Sequence, residues 1–302
     1  MCELFHSTSV DGMTDTMEQQ IVRGISQAEL DQFNRDGYTI ARGLFDAEEI
    51  ERFREHYMQL NAEGTHDGDY AGVEGGGEFD PLKRYPRMIH MHRWDDLSRE
   101  FLLDPRVFDA LNALLGGDPY AVQTMLYFKP PGARGQAVHQ DNFYLRAEPS
   151  TCCAAWLALD VCDADNGALM VVPGSQTWPL LCTVKADTSA SFTDVTVPLP
   201  EGVSPVTMTM QPGDMLFFNG QVVHGSTPNS TDDRFRRSLI GHYIQGDAEK
   251  VSKFYSPMLR RDGSEYAIGI SEGGGSCGVW VDRDGVPVIE DQGLEGNTLE
   301  HE

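Results

Sequence analysis

The residues best suited to chemistry in this 302-residue chain are His139 and Asp141, one residue apart, and a distant His224. On a β-strand, positions i and i+2 share a face. A strand through His139-Gln140-Asp141 therefore sets an imidazole beside a carboxylate. With a second imidazole from another strand, these make the two-His-one-carboxylate set that holds non-haem Fe(II) and leaves coordination positions open. His224 follows the apolar run Val222-Val223, as a ligand from a separate strand should. An HxD pair recurs by chance, and the second histidine is what gives it weight.

Arg236-Arg237-Ser238 opens a later apolar run. Arg236 and Ser238 share a face there, and Arg237 takes the other. A guanidinium beside a hydroxyl suits bidentate capture of a carboxylate, and an arginine turned into a barrel is costly unless it meets an anion. Arg237 suits a solvated edge, and His242 shares the inward face with Arg236. Trp156 and the alternating Gln123, Met125 and Tyr127 are candidate pocket walls, as are Phe143, Tyr144, Arg87, His90 and the tail around Trp280. His90-Met91-His92 is a possible metal pair, but no carboxylate or third histidine follows it in a sheet pattern, so it is read as a decoy.

The elements that must position these groups fall into two textures. Residues 1–25 are polar and without period, a loose arm. Ser26 with Glu29 makes a capping box for a helix that Gly37 stops, and Asp46 with Glu49 repeats the device. Ile50, Phe53, Tyr57 and Leu60 then recur at helical spacing through residues 47–61, with a short strand at Tyr38 to Leu44 between the two helices. Residues 62–80 are a long Gly- and Asp-rich loop without the GK[ST] of a phosphate-binding loop, and a lid over a site is one use for it. Asp104 caps a helix from Pro105 that Gly116 ends. Beyond residue 118 the chain reads as short strands punctuated by Gly/Pro turns. These are Tyr120 to Lys129, His139 to Leu145, Cys152 to Val161, Ala168 to Val172, Val206 to Met210, Met215 to Asn219, Gln221 to His224 and Arg236 to Gln245. Such a series without intervening helices argues for antiparallel sheets in a sandwich, barrel or jelly roll. A short helix is expected around Lys250 to Leu259, then a Gly-rich acidic tail.

A net charge of −24 and a pI near 4.6 argue against nucleic acid and anionic membranes as partners, because both require basic patches. There is no secretory h-region and no apolar run long enough to span a bilayer. The six cysteines form no CxxC pair, which excludes a zinc knuckle or thioredoxin-like site and leaves reduced, mostly buried thiols in a cytoplasmic protein.

As a set, His139-Gln140-Asp141, Asn166-Gly167 with Pro173-Gly174-Ser175, Gly213-Asp214-Met215, and His224-Gly225-Ser226 leading to Phe235-Arg236-Arg237-Ser238 resemble the phytanoyl-CoA dioxygenase family. The FxxDGY pattern from Phe33 to Tyr38 and Lys129-Pro130-Pro131-Gly132 resemble it too. The resemblance runs from about residue 26 to 247. It implies a mainly β chain with flanking helices, built on a double-stranded β-helix (a cupin-like jelly roll), using Fe(II), 2-oxoglutarate and O2. It places His139, Asp141 and His224 as iron ligands and Arg236 on the distal carboxylate of 2-oxoglutarate, with Ser226, Trp156, Ser238 and Gln123 nearby. It implies a single dioxygenase domain over 26–247, helical to 117 and jelly roll from 118, followed by a 248–302 extension that can act as a lid. Oxidative decarboxylation to succinate and CO2 would drive oxidation of a small-molecule substrate's C–H. Related halogenases carry Gly or Ala where Asp141 stands, so its carboxylate points to hydroxylation. The competing expectations are a non-catalytic jelly-roll binding protein and a metal-dependent isomerase or cofactor-independent dioxygenase. Oligomeric state is not legible.

Overall fold

The computed structural model describes residues 21–22, 24–149, 151–272 and 275–293. The loose arm expected at the N-terminus lies, up to residue 20, outside the described residues, and Ile21–Val22 pairs with Ile25–Ser26. The capping arithmetic is realised as read. Ser26 and Glu29 cap Gln27–Asp36 reciprocally, and Gly37 closes that helix in the left-handed region at φ 81°. Asp46 and Glu49 do the same for Ala47–Glu63.

Two antiparallel sheets follow. The larger runs in the order Glu265–Tyr266, Met258–Leu259, Tyr120–Tyr127, Ser238–Ile244, Cys152–Ala158, Met215–Asn219, Tyr38–Ala41, with Met88–Ile89 also against Tyr120–Tyr127. The smaller has the order Val206–Thr207, Leu169–Val171, His224–Ser226, Gln136–His139. This is a jelly roll, with the non-sequential strand order of that fold. Period-2 alternation gives the larger sheet two apolar faces. Leu239, Tyr243, Leu157 and Phe217 pack outward on the helices with Phe53, Phe101 and Phe108. Met125, Trp156, Phe218 and Ile240 point inward, between the sheets.

Several sequence-based expectations are corrected. His139 ends its strand, and Asp141 has αR geometry leading into the helical turn Asn142–Leu145, so residues 139–145 are not a strand. Gln140 explains the departure: its side chain bonds the Pro179 and Gln221 carbonyls and the Leu181 amide, pinning the backbone where it leaves the ladder. His224 begins its strand rather than following one. The helix expected at Lys250 to Leu259 is two short strands around a 3-10 turn, Lys253–Tyr255. The acidic tail contains a hairpin, Gly278–Arg283 with Val286–Asp291.

The cysteine reading also changes. Cys152, Cys153 and Cys162 are free and buried, but Cys182 and Cys277 form a disulfide across 95 residues of sequence. It ties the base of the C-terminal hairpin to the chain after Pro179, beside the Trp178–Trp280 contact. No local spacing pattern could announce so distant a pair. Among the described residues, no helix is long and apolar enough to cross a membrane.

Candidate active site

His139 and His224 are direct cross-strand partners in the smaller sheet, and their rings lie 4.3 Å apart. Each Nε2 is 3.5 Å from the same Asp141 oxygen, Oδ1, and one ligand atom from each of the three residues falls within 4.8 Å of the others. All three side chains are buried. The ring nitrogens facing away are not idle. His139 Nδ1 lies 2.9 Å from the Ala137 carbonyl, and His224 Nδ1 lies 3.0 Å from that of Val222. A carbonyl only accepts, so each Nδ1 carries the proton and each Nε2 presents its lone pair to the shared point. The donor set, its spacing and its tautomers fit one divalent metal of the non-haem iron type.

The electrostatics agree. Burial opposes ionisation of Asp141, but His224, His242 and His139 outweigh it and hold the carboxyl well below the usual carboxylate range. Burial lowers His224 to about 4, against the pull of Asp141, so it stays neutral and able to ligate at physiological pH. His242, read from sequence as an inward neighbour of Arg236, brings its Nε2 to 3.2 Å from Asp141 Oδ2.

Arg236 is buried, as strand parity predicts. Its Nη1 donates to Ser238 Oγ at 3.0 Å, its Nε to the Gly167 carbonyl at 3.1 Å, and its guanidinium lies 5.3 Å from the Trp156 ring. Arg237 faces the other way, onto Asp160 at 2.8 Å. Beside Arg236 lies a cation the sequence reading passed over. Lys129, fully buried, donates to Ser226 Oγ at 2.8 Å and to the carbonyls of Gly167 and Thr227. Burial and Arg236 together press its ammonium well below the usual lysine range. Neither cation meets a carboxylate among the described residues. The available signal is positional: Lys129 ends an apolar strand run just before Pro130-Pro131-Gly132.

The triad and Arg236 line one cavity of about 510 Å³, with Lys129 behind its wall on Ser226 and Gly167. Gln123, Tyr127, Tyr144, Trp156 and Ser226 line it as expected, while Phe143, His90 and Trp280 do not. His90 approaches only through Gln123 and Tyr255, and His92 is turned onto Thr124, so the HxH pair forms no metal site. The Gly-rich loop over residues 62–80 supplies Tyr70 and Val73 to the wall, as expected of it, and a segment from Thr193 to Val195 adds a contribution with no sequence signature.

The model of the phytanoyl-CoA dioxygenase family matches residues 33–238. The chain belongs to that family. The curated phytanoyl-CoA dioxygenase of Arabidopsis thaliana is 32% identical over 167 residues, covering 54% of this chain and 58% of that protein. This chain therefore spans little more than half the length of that relative. Among solved structures, the epimerase SnoN, in complex with Fe3+, alpha ketoglutarate and nogalamycin RO, aligns with TM-score 0.60 and 21% identity over 74% of this chain and 84% of its own. EctD from S. alaskensis, with 2-oxoglutarate and 5-hydroxyectoine, aligns with TM-score 0.58 and 23% identity over 74% and 77%. At these identities the two structures bear on the fold.

Proposed function

We propose that this chain is an Fe(II)- and 2-oxoglutarate-dependent dioxygenase that hydroxylates an unactivated C–H of a small organic molecule. The observation that carries the reading is the convergence of His139 Nε2, His224 Nε2 and Asp141 Oδ1 on one point, in a cavity lined by the buried Arg236, which meets no carboxylate among the described residues. Family membership and the ligands of the two structural neighbours support it.

His139, Asp141 and His224 would hold the iron. When bound, that ion supplies activation of O2 coupled to oxidation of the co-substrate. The overall reaction balances as 2-oxoglutarate, O2 and R–H giving succinate, CO2 and R–OH. The protein's own work is placement. Arg236 and Ser226, backed by Ser238 and Lys129, form a cationic end with a hydroxyl that suits the distal carboxylate of a dicarboxylate. Trp156 flanks the guanidinium, and Gln123 stands beside His242 on the same sheet. Burial of the triad keeps bulk water from the reacting centre. Asp141 fills the position that a halide would need, which supports hydroxylation over halogenation. We read residues 26–247 as the catalytic unit and 248–302 as an extension over the cavity, a reading supported by Tyr255 on its wall. No family substrate is assigned to this chain.

The test is consumption of 2-oxoglutarate with stoichiometric succinate across a metabolite panel. Wild type is expected to turn over and Asp141→Asn to be silent. Substrate oxidation that proceeds without 2-oxoglutarate would overturn the reading.

A further inference from the structure

The cavity wall carries a second arginine that the chemistry above leaves unused. Among the described residues, Arg87 and Arg236 are its only arginines or lysines. Arg236 is bound to Ser238 and Gly167 deep inside, whereas Arg87 faces the cavity from the wall formed with Tyr70. Its backbone amide and carbonyl both pair with Tyr70, at 3.1 and 2.9 Å, a single antiparallel bridge that holds its backbone. The rings of Tyr70, Phe192 and Tyr127 lie 4.5, 4.8 and 5.7 Å from the guanidinium carbon.

For a group with five N–H donors, Arg87 is poorly satisfied. Nη1 donates to Tyr127 Oη at 3.2 Å, and Nε is buried with no acceptor. Nη2 makes no hydrogen bond, and no carboxylate comes within ion-pair distance, among the described residues. Its neighbours behave otherwise: Arg134 puts its charge on Asp80 at 2.7 Å, and Arg237 on Asp160. Asp194, on the same cavity wall, is exposed and does not pair with Arg87. A guanidinium held among rings, half-buried and without a counter-ion, is a site awaiting a planar anion.

Arg87 also reaches the triad through few atoms. Tyr127 Oη lies 3.3 Å from Gln136 Oε1, and Gln136 Nε2 lies 3.2 Å from His139 Nε2. An anion on Arg87 thus sits in the same cavity of about 510 Å³ as the metal ligands. We propose that Arg87 anchors the primary substrate through a single carboxylate, so that this enzyme acts on small monocarboxylates. This rests on the dioxygenase reading above. One free guanidinium suits one carboxylate, and the polyphosphate of a CoA thioester would find no further lysine or arginine on the described wall.

The experiment uses the anaerobic protein with Fe(II) and saturating 2-oxoglutarate, following its visible charge-transfer band. Benzoate, hexanoate and proline are titrated, each beside its primary amide. A carboxylate is expected to shift the band without bleaching it, and its amide to bind at least ~10-fold more weakly. Arg87→Met should keep the band and lose carboxylate binding at least ~10-fold, and Arg87→Lys should recover part. The retained band shows that the variant is folded and still binds 2-oxoglutarate. Amides binding as well as acids, unchanged carboxylate binding in Arg87→Met, or no shift with any carboxylate would overturn the proposal. A wild-type protein with no band at all is a different result and removes the dioxygenase reading itself.

Discussion

His242 Nε2 lies 3.2 Å from Oδ2 of Asp141, the carboxylate oxygen left over once Oδ1 faces the two histidine nitrogens. An ionised carboxylate can only accept, so His242 donates, and the contact fixes which oxygen turns toward the metal point. Outer partners of this kind typically contribute 10–100-fold to metal affinity. His242→Phe should therefore weaken Mn(II) or Co(II) binding by roughly that factor with the fold unchanged, and His242→Gln, which still donates, should recover part. Equal metal affinity in wild type and His242→Phe would show that the contact is only packing.

The cationic end of the cavity makes a split prediction. Arg236→Gln removes the buried group proposed to hold the co-substrate carboxylate; a loss of about 2–5 kcal/mol would raise KM for 2-oxoglutarate roughly 30-fold or more. Lys129→Met should also raise that KM. It should not lower the melting temperature measured without 2-oxoglutarate, because a fully buried ammonium held by neutral oxygens is costly to the fold. A large drop in melting temperature would mean that Lys129 is a structural strut instead.

The link between Cys182 and Cys277 closes a loop of 95 residues. Constraining the unfolded chain in this way typically adds 2–4 kcal/mol. Reductant, or Cys182→Ser, should lower the melting temperature, and alkylation of the denatured, unreduced protein should leave these two sulfurs unlabelled. Full labelling of both without reductant would contradict the bridge.

Two histidines outside the triad contribute to the acid limb of stability alongside His224. Burial is the main cause lowering His90 to about 4 and His92 to about 3, from an ordinary 6.5. Both are neutral in folded and unfolded chains above 6.5, so they impose no pH dependence there. Below it the unfolded chain takes up protons that the folded one refuses. Stability should therefore fall as pH drops from about 6.5 toward 4. Urea midpoints across that range check this, and His92→Asn should flatten the slope. An unchanged slope in that variant would assign the loss to other groups.

Much of the site was legible because its parts are local and periodic. Parity along Ser238–Ile244 put Arg236, Ser238 and His242 on one face, and the structure agrees. His139 and Asp141 do converge, but not along a strand as their spacing suggests. The strand ends at His139, and Asp141 reaches the metal point through a turn held by Gln140, whose partners lie some forty and eighty residues away. Such tertiary ties leave no local trace. The same holds for Thr193 to Val195, for the hairpin around Trp280 and for the disulfide. Lys129 was overlooked because its Pro-Pro-Gly neighbours read only as the end of a strand.

The central claim is that one metal and one 2-oxoglutarate share the point where His139, Asp141 and His224 converge. Mixing the anaerobic protein with Fe(II) and 2-oxoglutarate and recording the visible spectrum tests it most directly. A weak, broad charge-transfer band that needs both components and disappears in Asp141→Asn is the predicted result. No band in a protein that circular dichroism shows to be folded would contradict it.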